Sequence, residues 1–204
     1  VTTVSPQARP ARSEDVEAAV RTLCRAFAEY PWTRHVIAAD EHERRLAEFQ
    51  RLFVSRIGLE HGRVWVTPGC EAVSVWTTPE STGVEAVFTE LTDRFVELAG
   101  DRWEHFERAE TALAPHRPRD PVWFLGTVGV QPGRQGQGLA GAVIRAGLRE
   151  ADRAGVPAFL ETSDERNVEI YRRFGFEVQA EVPVPDGGPL TWTMWRAPQG
   201  AHTT

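Results

Sequence analysis

A chain of 204 residues, 41% hydrophobic and 25% charged, has the size and makeup of one ordinary globular domain able to bury its own core. Its formal net charge of −6 argues against nucleic acid, whose phosphates attract basic surfaces, and suits a cationic ligand such as an amine. Cys24 and Cys70 are too few for a disulfide framework and have no Cys-x-x-Cys or Cys/His neighbours that would suggest zinc, so no metal is expected. No apolar run is long enough for a membrane span or signal peptide, and a cytoplasmic protein that does not engage a membrane is the expectation.

Residues 1 to about 10 read as a flexible arm in which Pro6 and Pro10 limit any strand to a short edge piece. Ser13 is placed to cap a helix with Glu14 and Asp15 in its first turn and Val16, Ala19, Val20, Leu23 and Phe27 as its apolar stripe. Pro31 is expected to end it. Tyr30 and Trp32 then stand at a helix exit, where aromatics either wall a substrate or pack on the next helix. Asp40 is expected to cap a second helix carrying Leu46, Phe49, Phe53 and Ile57, stopped near Gly58 to Gly62. Residues 63–67 and 72–78 alternate in period two around Pro68-Gly69, which predicts a hairpin. Two amphipathic segments follow, residues 84–98 and 103–113, broken at Gly100-Asp101 and closed by Pro115 and Pro118. They suit either a substrate cover or a helical hairpin shielding the sheet.

The stretch from Val122 to Gly138, VWFLGTVGVQPGRQGQG, is a β-rich run that passes through Pro132-Gly133 into a glycine loop and then a helix bearing Leu139, Val143, Ile144 and Leu148. Such a junction leaves the first helical N–H groups unpaired at the positive end of the helix dipole, a seat for a phosphate or pyrophosphate. Gly136, Gly138 and Gly141 also spell the dinucleotide pattern, with Glu161 about twenty residues on. That reading fails on context, because a dinucleotide fold needs further strand–helix units downstream and only a terminal hairpin follows. A short parallel strand at 158–160 is expected next, then a helix from Asn167 to Phe174 and strands at 176–183 and 190–195 around Asp186-Gly187-Gly188. The sum is an α/β (α+β) chain with a central mixed sheet flanked by helices, forming one domain with a flexible tail from about residue 197.

Val130, Pro132 and the run Gln135-Gly136-Gln137-Gly138-Leu139-Ala140 resemble the acyl-CoA loop of the GNAT acetyltransferases. The segments Leu160-Glu161-Thr162-Ser163, Arg166-Asn167 and Tyr171 to Phe176 resemble that family's second signature, with Asn167 and Tyr171 one helical turn apart. The resemblance implies acetyl-CoA as cosubstrate. Its pyrophosphate would lie on the amides of Gln135 to Ala140, its pantetheine arm along the backbone of Val128 and Val130 and beside Asn167, and its sulfur near Tyr171. Further segments, among them residues 75–81 and 113–118, look like the branch of the family that acts on aminonucleoside antibiotics such as puromycin. That branch implies antibiotic resistance by acetylation of a small-molecule amine; another amine antibiotic, an amine metabolite, or an acetyl-CoA sensor without turnover are the alternatives.

Acetyl transfer needs a neutral amine, oxyanion stabilisation and a proton for the leaving thiolate. An amino-acid-type amine with a pKa of about 7.7–8.0 costs only about 1 kcal/mol to deprotonate at pH 7, whereas a lysine ε-amine costs about 4–5 kcal/mol. A strong base is therefore unnecessary. Tyr171 is the expected acid and Glu161, acting through water, the first choice of base with Tyr30 or His35 behind it, and Tyr30, Trp32, His35 and Trp76 are the substrate-binding candidates. Neither cysteine has a context suggesting activation, so direct transfer in a ternary complex is expected.

Overall fold

The computed structural model describes residues 6–200, and residues 1–5 and 201–204, the outer parts of the two expected flexible ends, lie outside them. Strands β1 (Arg9–Pro10), β2 (Arg63–Val66), β3 (Ala72–Thr77), β4 (Trp123–Val130), β5 (Ala158–Thr162), β6 (Glu177–Pro183) and β7 (Leu190–Arg196) form one sheet in the order β1-β2-β3-β4-β5-β7-β6. Only β4 and β5 are parallel; every other pair is antiparallel. The mixed α/β sheet is thus the one expected, and the short edge piece at Pro10 is present.

Helices α1 (Val16–Phe27), α3 (His42–Leu52) with a π-helical continuation Phe53–Leu59, α5 (Thr92–Ala99) and α6 (Trp103–Leu113) lie toward one face, together with the shorter α2 (Pro31–Val36) and α4 (Val84–Glu90). Helices α7 (Leu139–Ala154) and α8 (Glu165–Arg172) pack on the other. The strand alternation fixes this division: Val64, Val66, Val73 and Val75 meet α1, while Trp65, Trp76, Trp123 and Leu125 meet α7. No helix among the described residues is long and apolar enough to cross a membrane.

Local expectations were met unevenly. Ser13 opens a 3₁₀ turn, and it is the Asp15 carboxylate that accepts the Arg12 N–H at 2.8 Å and so closes that end. Pro31 starts α2 instead of merely ending α1, because its fixed φ and missing N–H suit the first helical position. Asp40 does not cap α3: Glu41 holds the cap position in a left-handed conformation, and Asp40 pairs with Arg45. Residues 84–98 divide at Leu91 into α4 and α5.

Two details of the sheet position the site. Against β3, the register slips between Val75/Thr127 and Trp76/Leu125, leaving Gly126 as the extra residue of a bulge. The bulge shifts the parity of β4, so that Trp123 and Leu125 before it and Val128 and Val130 after it all meet the α7 side. The second detail is that β4 pairs with β5 only from Trp123/Ala158 to Leu125/Leu160. Beyond that point the strands part, and among the described residues the β4 backbone from Gly126 to Val130 has no strand partner on its β5 side.

Candidate active site

A cavity of about 510 Å³ opens where β4 and β5 diverge. Its floor is the β4 backbone from Phe124 to Val128, and its outer wall is aromatic, supplied by α3, α5 and α6 through residues such as Phe49, Phe53, Phe95, Trp103 and Phe106. These helices bury their apolar stripes against one another, with Phe49 and Phe95 edge to face at 5.6 Å between centroids, so the wall is a packed element and not a loose flap. From α8, Asn167 and Tyr171 reach the same cavity through the gap between the strands.

Tyr171 is buried, and burial, with Tyr30 nearby, pushes its phenol above the usual tyrosine range. Its hydroxyl therefore keeps its proton at neutral pH. Asn167 donates from Nδ2 to Thr162 Oγ1 at 3.3 Å. Tyr30 Oη accepts the Ser163 N–H at 2.6 Å and lies 3.2 Å from Thr162 Oγ1, tying the α1–α2 corner to the end of β5. Burial raises its pKa too, against these hydrogen bonds.

The charged residues lining the cavity form one cluster. Arg117 donates through Nε and Nη2 to both oxygens of Glu161 at 2.7 and 2.9 Å, and through Nη1 and Nη2 to Glu110 at 2.6 and 3.2 Å. Burial opposes the guanidinium charge, but the two carboxylates outweigh it and hold its pKa above the ordinary value. The cluster keeps one surplus negative charge facing the cavity. Glu161 is thus in place, with both of its carboxylate oxygens engaged by Arg117.

On the other side of β4, the loop from Gln131 to Gly138 leads into α7. Gly136 and Gly138 have φ of 76° and 77°, a region in which only glycine rests without strain. A Cβ at Gly136 would meet nothing within 4 Å, so this backbone faces open space. Gly138 caps the sixteen-residue α7 without any side-chain hydrogen bond, leaving the amides of Leu139 and Ala140 turned toward the loop.

Residues 95–176, less than half of the chain, match the model of the acetyltransferase (GNAT) family. A structure from Corynebacterium glutamicum, described as histone acetyltransferase HPA2 and related acetyltransferase, superposes with a TM-score of 0.75 at 24% identity, covering 98% of this chain and 99% of that one. The chain has the GNAT fold. The ribosomal-protein-S18-alanine N-acetyltransferase of Escherichia coli shares it at a TM-score of 0.56 and 17% identity, with 97% of each chain covered. An uncharacterized N-acetyltransferase of Schizosaccharomyces pombe is 36% identical over 63 residues, which are 31% of this chain and 26% of that protein. The chain therefore matches about a quarter of that relative's length.

Within the GNAT frame the expected residues fall into three groups. Val128, Asn167, Tyr171, Glu161, Tyr30 and Trp32 line the cavity. Val130, Gln135, Gly136, Gln137, Gly138, Leu139 and Ala140 lie along the end of β4, the loop and the first turn of α7. Two substrate candidates do not line the cavity. Trp76 is fully buried on the α7 side, where its Nε1 donates to Ser74 Oγ at 3.1 Å and its ring lies so close that a Cβ on Gly147 would meet it at 2.4 Å. It is a core residue on the wrong face of β3. His35 packs against His105 at 4.9 Å, beneath the β6–β7 turn. Burial, then His105 and Arg102, lower its pKa, and it is remote from any base role.

Arg117, Glu110, Gln50 and Thr127 also line the cavity and were not anticipated. Phe106, Glu110 and Leu113 recur at helical spacing, which marks an inward stripe on α6. Nothing in the sequence says that Arg117 joins Glu110 to Glu161, 51 residues away.

Proposed function

We propose that this chain is an acetyl-CoA-dependent N-acetyltransferase that acetylates the free amine of a small molecule by direct transfer in a ternary complex. Puromycin or a related aminonucleoside is the first substrate to test, given the sequence segments that look like that branch of the family. The observation that carries the reading is the parting of β4 and β5 beyond Leu125 and Leu160, which joins the side of the glycine loop to a cavity holding a neutral phenol and an anionic cluster.

The residues fit the cosubstrate. The open backbone at Gly136 and the amides of Leu139 and Ala140 at the helix start suit a pyrophosphate, and the backbone of Gly126 to Val130, without a strand partner on its β5 side among the described residues, suits an amide-bearing chain laid along it as an extra strand. When bound, acetyl-CoA supplies an activated acetyl thioester. Asn167, which lines the cavity, would orient that arm, and backbone N–H groups near Val128 would stabilise an oxyanion. Tyr171 holds its proton at the phenolic oxygen until a departing thiolate takes it. Glu161, fixed by Arg117, attracts the incoming ammonium and passes its proton to water; an amine with a pKa of about 7.7–8.0 asks no more than this. A cytoplasmic site of action, where acetyl-CoA is available, accompanies the reading.

The test is incubation of the protein with acetyl-CoA and puromycin, followed by mass spectrometry for one added acetyl group and an assay for free thiol. Thiol release with other amines but not puromycin would move the substrate to another amine. Acetyl-CoA binding by calorimetry with no thiol release from any amine would mark a sensor and overturn the enzymatic reading.

A further inference from the structure

Gln50 stands on α3 between Phe49 and Phe53 and lines the aromatic part of the cavity. It is 3% exposed, and among the described residues its Oε1 has no hydrogen-bond partner. An unpaired carbonyl oxygen in apolar surroundings costs free energy that leucine, of similar volume, would not. Folding alone gives no reason for a carboxamide here. Nor do the cavity's charges supply a partner, because Glu110, Arg117 and Glu161 are bonded to one another.

We propose that Gln50 is a specificity-determining residue, whose side chain hydrogen-bonds an uncharged polar group carried on a ring of the amine substrate. The ring lies among Phe49, Phe53, Phe95, Trp103 and Phe106, where offset and edge-on aromatic contacts are available. The polar group is uncharged because this wall offers no counter-ion, and a hydroxyl suits it because a carboxamide both donates and accepts while a hydroxyl can answer either atom. The amine end is directed toward the surplus negative charge at Glu110 and Glu161. This rests on the amine-acetyltransferase reading of the cavity and adds to it the chemistry of the part of the substrate that does not react.

The probes are phenylalaninamide and its 3- and 4-hydroxy forms, assayed as acetyl acceptors and, with CoA present, as ligands by calorimetry. At least one hydroxylated probe is expected to exceed phenylalaninamide by roughly 2- to 12-fold in kcat/KM and in affinity, the worth of one net hydrogen bond. In Gln50→Leu that preference is expected to vanish, phenylalaninamide to bind at least as well as before, and Tm to rise by a few degrees as the orphan acceptor is removed. Gln50→Asn, which keeps the polarity but shortens the reach, is expected to lose the preference without the gain in Tm. A preference that survives in Gln50→Leu, or an equal fall for all three probes, would overturn the proposal, as would wild-type protein that binds none of them or does not discriminate. Gln50-dependent binding without acetylation of any probe would uphold the recognition role and sink the acetyltransferase reading instead.

Discussion

Tyr171 combines two properties that a general acid needs and a core aromatic does not. It is buried deeply enough to stay protonated, yet it lines the cavity and no neighbouring side chain engages its hydroxyl among the described residues. Tyr171→Phe is expected to lower turnover by about 10²- to 10⁴-fold, the usual worth of general acid catalysis, while calorimetry finds acetyl-CoA affinity unchanged. Turnover at the wild-type level would remove the acid role. That Tyr171 and Asn167 share a face was legible because residues four apart on a helix do so, and both line the cavity. Trp76 was misplaced because a strand pattern shows two faces without saying which one the cavity opens onto. Ser74 and Trp76 alternate with Val73 and Val75, and only the packing of α7 decides. The Arg117 pairing was hidden for a related reason: its partners come from a helix end and a strand that the fold alone brings together.

At the scale of elements, the strand, loop and helix from Trp123 to Ala154 carry the proposed donor site, and Gly138 is the hinge of the three. With φ at 77°, it turns the chain so that the amides of Leu139 and Ala140 face the loop. Gly138→Ala places a Cβ in a left-handed conformation at a cost of about 1–2 kcal/mol, which urea unfolding should register. Re-aiming those amides should also weaken acetyl-CoA binding in a titration. Loss of stability with full affinity would mean that the loop only turns the chain. This junction was readable from sequence because glycines, an apolar run and a helical period coincide there. The aromatic wall was readable only as amphipathic helices, since periodicity fixes the inward face of α5 and α6 but not whether that face meets sheet or an open chamber. The parting of β4 from β5 left no mark in composition at all, because it is a property of the pairing between strands.

Across the whole molecule, a few ion pairs join elements distant in sequence, and they set the response to acid. Arg196 on β7, almost fully buried, donates to both oxygens of Asp152 on α7 at 2.6 and 2.9 Å and to the Phe174 carbonyl at 2.8 Å, while the Gln199 N–H reaches the same carboxylate at 2.8 Å. Burial opposes the charge on Asp152, but these donors outweigh it and hold its pKa below the usual 3.8. The native state therefore binds fewer protons there than the unfolded chain, so stability rises with pH through the acid range. Its contribution is complete above about pH 3.8 and is lost as pH falls through the lowered native value. Asp15, held by Arg9 and the Arg12 N–H, behaves in the same sense. In Asp152→Asn the Arg196 charge is left without its counter-ion, and a loss of about 3 kcal/mol is expected at pH 7, the low end for a broken buried pair because Asp152 keeps some solvent. Urea unfolding of wild type and variant from pH 7 down to pH 3 should show the gap constant at first and then narrowing below about pH 3.8, where the carboxylate of the unfolded wild-type chain takes up a proton that the native one still refuses. A gap that stays the same to the lowest pH would mean that packing, and not the charge pair, joins β7 to α7 and so steadies the sheet behind the proposed acetyl-CoA site.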